Sequence, residues 1–135
     1  MGKNLIQQRR GKGNTRYRSP SHRFLGEVSY SEIPTDATEG IVTRIIDAPG
    51  RKLPLAEVDY NGKKVLHLPH DGLKIGEKVE ISSLKKGCVS RLGDVPEGTK
   101  IYNLELRPRD GGKLCRSSGS FAIVIAREGK KVTVL

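Results

Sequence analysis

The 135 residues are 35% hydrophobic and only 4% aromatic, contain no tryptophan, and carry a formal net charge of +10. The longest apolar run, Phe121 to Ala126, is far short of the roughly 18 residues a membrane span needs, so no membrane partner is expected. The N-terminus has cations but lacks the apolar stretch of a secretory signal, and its Gly and Pro spoil the amphipathic helix of a transit peptide.

The first 26 residues hold Lys3, Arg9, Arg10, Lys12, Arg16, Arg18 and Arg23 and no acid, which is seven of the ten excess charges. Such a segment has too little apolar surface to fold alone and suits a polyanion, above all nucleic acid. Residues 27–39 are acidic, polar and turn-rich and read as a connector. From Gly40 the pattern changes to short aliphatic runs divided by Gly, Pro and Asn. Ile41 to Ile46 is the first predicted strand. Leu55 to Tyr60 follows, half-buried by its alternation, then the Asn61-Gly62 hairpin turn and a return over Lys64 to Leu68. Turns at Pro69–Gly72 and Gly76-Glu77 precede a strand through Val79 and Ile81. Lys85-Lys86-Gly87 breaks the pattern. Thr99 to Leu106, Phe121 to Ala126 and Lys131 to Leu135 are the later predicted strands, with a tight turn at Glu128-Gly129. Strands at about ten-residue spacing with turn chemistry between them indicate small barrels, here two in tandem. The last run ends at Leu135 with its hairpin only begun, so the second barrel is expected to be incomplete and the chain truncated.

Two constellations carry chemistry. In QRRGKGNTRYRSPSHR, guanidinium groups match phosphate oxygens and glycines allow close backbone approach, while Tyr17 offers a stacking face. In RPRDGGKLCRSSGS, Arg107, Arg109, Lys113 and Arg116 share a loop with Gly111, Gly112 and Gly119. The successive N–H groups of such a loop are expected to form an anion nest, and Ser117, Ser118 and Ser120 to add hydroxyls for phosphate or a 2′-OH. The loop lacks the phosphate-binding P-loop pattern. Cys88 and Cys115 form no CxxC and have no paired histidines, so reduced thiols are expected, without disulfide, metal or cofactor. His22, His67 and His70 belong to no nucleophile–base signature, although a Cys–His enzyme stays open because such pairs are spatial.

The opening MGKNLIQQRRGKGNTRYRSPSHR, the stretch IIDAPGRKLPLAEVDYNGKKVLHLPHDGLKIGEKV and the stretch from VPEGTKIYNLELRPRDGG to the end stand in one order. That order resembles large-subunit ribosomal protein two (the L-two family) in its archaeal and eukaryotic branch. The chain departs from the family pattern at Cys88, Arg91 and Arg109, the last in place of a usual glycine.

The resemblance implies an all-β chain: a basic extension and connector over 1–36, an OB-like RNA-binding barrel over 37–86, and an SH3-like translation-protein barrel over 87–135. It implies a non-enzymatic, cytoplasmic constituent of the large ribosomal subunit. The expected partners are large-subunit ribosomal RNA and other ribosomal proteins, with no small-molecule substrate. Carried onto matching positions, the RNA contacts are Arg9, Arg10, Lys12, Arg16, Arg18, Ser19 and His22, with Arg51, Lys113, Arg116, Ser117 and Gly119. Arg23, Arg107 and Arg109 join them as cations of the same segments. Arg116 is expected to make a fixed bidentate contact with RNA. The alternative is a soluble translation factor or single-strand nucleic-acid-binding module built on the same barrels.

Overall fold

The alternation of Leu55–Tyr60 and the left-handed pair Asn61 (φ 53°) and Gly62 (φ 93°) produce one tight hairpin. Asp59 closes it by accepting the Gly62 N–H at 2.7 Å. A computed structural model describes residues 2–3 and 5–135. Strands β1 (Glu39–Ile46), β2 (Leu55–Tyr60), β3 (Lys63–His67) and β4 (Lys78–Glu80) form an antiparallel sheet in the order β3-β2-β1-β4. Strands β5 (Lys100–Ile101), β6 (Ala122–Glu128) and β7 (Lys131–Val134) form a second antiparallel sheet in chain order. The fold is all-β and barrel-like, as expected. The single α-helix among the described residues, α1 (Ile6–Gly11), buries none of its residues. No helix there is long and apolar enough to cross a membrane.

The main core packs Ala56, Val58 and Tyr60 of β2 against Val42, Val65 and Val79 from its neighbours. Within it Tyr60 and His67 meet, hydroxyl to Nε2, at 3.1 Å. Burial pushes the His67 imidazole down to about 4, so the ring is neutral at pH 7.

Three expectations are corrected. β2 is buried on both faces: a second cluster of Val28, Ala48 and Leu55 covers one end of its other face. Beside it Glu57 lies under Arg44 and Lys64, 2.9 and 3.4 Å away. The strand expected over Thr99 to Leu106 shrinks to Lys100–Ile101, because Asn103 turns left-handed (φ 53°) and Glu105 is drawn into the following loop. The segment read as a connector is structural. Val28, Ile33 and Ala37 are buried, each a lone apolar residue among polar neighbours, and so without a period to reveal it. A smaller difference is the last hairpin, where β6 runs through Glu128 and the turn falls on Gly129-Lys130.

Candidate nucleic-acid interface

Residues 24–30 form a strut that touches both the turn carrying Arg51 and the Gly-rich loop. At its start the Phe24 ring lies over Gly50, whose φ of +88° and lack of a side chain make room; a Cβ there would stand 2.6 Å from the ring. Arg51 and Lys52 follow in the same turn, both exposed, with the Arg51 N–H closing onto the Ala48 carbonyl at 3.1 Å. In the middle Val28 is buried against Ala48 and Leu55. At its far end the Tyr30 N–H donates to the Gly111 carbonyl (3.4 Å), and Ser29 fills the space a Gly111 side chain would need. The strut thus runs from the foot of the basic tail, past the Arg51 turn, to the Gly-rich loop.

That loop is held by its own acids. Glu105 accepts the N–H groups of Arg109 and Gly111 at 3.0 and 3.1 Å. Asp110 accepts those of Leu106, Arg107 and Gly112 at 3.0, 3.0 and 3.2 Å. Burial raises the Asp110 carboxyl, but the N–H groups of Arg107, Gly112 and Leu106 outweigh it and hold the acid below its ordinary value. An anion nest is therefore present, but it is already filled, so these amides are not open to phosphate. Two carboxylates in the same stretch were the available signal.

The predicted site residues divide by what they touch. Arg9, Arg10, Lys12, Arg16, Arg18, Ser19, His22 and Arg23 are all exposed along the tail. Arg10 lies over Tyr17 at 5.6 Å from the ring centroid, which occupies one of the faces expected to stack on a base. Arg107, Arg109, Lys113, Ser117 and Gly119 are exposed on the loop. Arg109 is left-handed (φ 63°) where the family resemblance places a glycine, and its guanidinium reaches the Ile33 carbonyl at 3.4 Å. Ser117 spends its carbonyl on the N–H and hydroxyl of Ser120. Arg116 is half-buried and bonded within the chain: its Nη2 donates to the Val28 carbonyl at 2.7 Å and its Nη1 to the Gly112 carbonyl at 3.0 Å. Lys52 was missed, although it stands next to Arg51.

Charge is partitioned in the same way. The cations on or beside the first sheet are paired: Arg44 and Lys64 with Glu57, Lys63 with Glu32, Lys78 with Glu39 and Lys85 with Glu80. Arg44 above all, with Thr43 and Lys64 adding to it against burial, brings the Glu57 carboxyl down to about 2. Among the described residues, no tail cation has a carboxylate within ion-pair distance, nor do Arg51, Lys52, Arg107, Arg109 or Lys113. Lys74, Lys86 and Arg91, and on the second sheet Lys100, Arg127 and Lys131, likewise have no carboxylate at that distance among the described residues, so the tail, the Arg51 turn and the Gly-rich loop hold a large share of the unpaired charge but not all of it.

An open cleft of about 1880 Å³ lies between the two sheets, lined in part by His67, His70, Cys88 and Tyr102. His70 spends Nδ1 on the Asp71 carbonyl at 2.9 Å, and both thiols are unbridged. No group of three His, Cys, Asp or Glu side chains among the described residues is placed to hold a metal ion.

Residues 85–135 match the family model described as Ribosomal Proteins L2, C-terminal domain. Across its whole length the chain is similar to archaeal proteins named large ribosomal subunit protein uL2. The protein from Methanothermobacter thermautotrophicus is 44% identical over 142 residues, covering 99% of this chain and 59% of the relative. That from Methanococcus vannielii is 43% identical over 144 residues, covering 100% and 61%, and that from Methanocella arvoryzae 40% over 139, covering 99% and 58%. The chain thus spans about six-tenths of the length of these curated relatives.

Proposed function

Because the chain belongs to the ribosomal L2 family, we propose that it is a non-catalytic, cytoplasmic constituent of the large ribosomal subunit that binds and stabilises ribosomal RNA. The observation that carries this reading is the partition of charge. Cations on the first sheet are neutralised by acids of the chain itself, whereas those of the tail, the Arg51 turn and the Gly-rich loop are left for an external anion. Exposed guanidinium groups along the tail suit a phosphate backbone, and a laced loop presents Arg107, Arg109 and Lys113 to a folded RNA. Neighbouring ribosomal proteins are the second class of partner.

A soluble factor built on the same barrels would recognise single strands mainly by aromatic stacking. Here each exposed ring has one neighbour already in place: Phe24 packs on Gly50, Arg10 lies over Tyr17, and Lys100 lies over Phe121 at 4.8 Å. Co-sedimentation separates the two readings. A tagged chain expressed in an archaeal host should travel with large subunits through a sucrose gradient at low salt and be released as salt rises. A chain that stays at the top of the gradient at all salt concentrations overturns the ribosomal reading.

A further inference from the structure

We infer that Arg116 is a latch that fixes where the basic tail leaves the folded body, so that tail and loop engage one RNA as a single bivalent site. This inference rests on the RNA-binding reading above and assigns Arg116 a positioning role within it.

Arg116 reaches a residue 88 positions away: its guanidinium spans the carbonyls of Val28 on the strut and Gly112 in its own loop. Both anchors are themselves fixed. Val28 is buried with Ala48 and Leu55, and the Gly112 N–H is held by Asp110. A planar fork can satisfy two carbonyls at set angles, and a lysine ammonium on a flexible stem does not reproduce that geometry. The other end of the strut is pinned independently by Phe24 on Gly50. The tail's exit, at Arg23, directly precedes the Phe24 pin, and Arg51 and Lys52 directly follow Gly50 beneath that ring. Two linked binding elements reinforce each other only when their geometry allows simultaneous engagement, and loosening the link lowers the effective concentration of the second.

A double-mutant cycle with in vitro transcribed large-subunit ribosomal RNA tests this. In the full chain, Arg116→Lys should weaken binding by about tenfold, a partial loss of the roughly 10²–10⁴-fold that linking two sites yields. In a chain lacking residues 2–22, the same substitution should change affinity less than about twofold, because no tail remains to be positioned. Amide exchange at Ser29 and Tyr30 should accelerate in the free variant while the β2 amides keep their protection. Phe24→Ala frees the strut from its other end without touching Arg116, and it should show the same dependence on the tail. It also keeps the test open should Arg116→Lys prove unable to fold. An equal loss with and without the tail would make Arg116 a direct RNA contact and overturn the latch, as would no loss in either background. If deleting residues 2–22 leaves the affinity of the unsubstituted chain unchanged, the RNA-binding reading of the tail fails instead.

Discussion

At the scale of single residues, burial decides behaviour more than residue type does. His67 is read from the sequence as a strand residue, and it is one, but its imidazole is sealed among Tyr30, Tyr60 and the core and titrates at about 4. The folded value lies below the ordinary 6.5, so the unfolded chain binds the extra proton first. The stability is fully present above about pH 6.5 and is lost as pH falls from there towards 4. A shift of this size corresponds to about 3 kcal/mol. Denaturant unfolding at a series of pH values should show this loss, and His67→Leu should flatten it. A wild-type stability that is level from pH 7 to 4.5 would show that the ring is already exposed to solvent protons. Glu57 adds a second acid-sensitive contact, but its window lies lower, between the ordinary carboxylate range and about 2.

At the scale of elements, the hairpin of β2 and β3 was legible because alternation and Asn61-Gly62 agree on one register. The strut and the residues that follow it to β1 were not legible, since Val28, Ile33 and Ala37 are spaced irregularly and their partners lie far along the chain. The Gly-rich loop was legible as a cationic loop but not in its interior. The sequence shows glycines and cations, and only the fold shows Glu105 and Asp110 turned inward onto the amides. Glu105→Gln tests that interior. The amide keeps one acceptor and points a second donor at a backbone N–H. The amides of Arg109 and Gly111 should then exchange faster by about tenfold, equivalent to about 1.4 kcal/mol and within the cost of an unmet charged bond. Unchanged exchange at both positions would mean that the loop is held by something else.

At the scale of the whole molecule, the sequence located the positive charge and the structure shows which of it is already spent. The acid partners of Arg44, Lys63 and Lys78 lie in other strands or turns, so their neutralisation could not be read from local composition. The central claim is that the unpaired cations of the tail, the Arg51 turn and the Gly-rich loop bind phosphate as one surface. Its most direct test is the salt dependence of binding to large-subunit ribosomal RNA, measured for the full chain and for the chain without residues 2–22. If six to ten phosphates are neutralised, affinity should fall by about 10³–10⁵ between roughly 50 and 200 mM salt, and removal of the tail should flatten the log–log slope by several units. A slope that is the same for both chains would contradict the account, because the tail would then neutralise no phosphate.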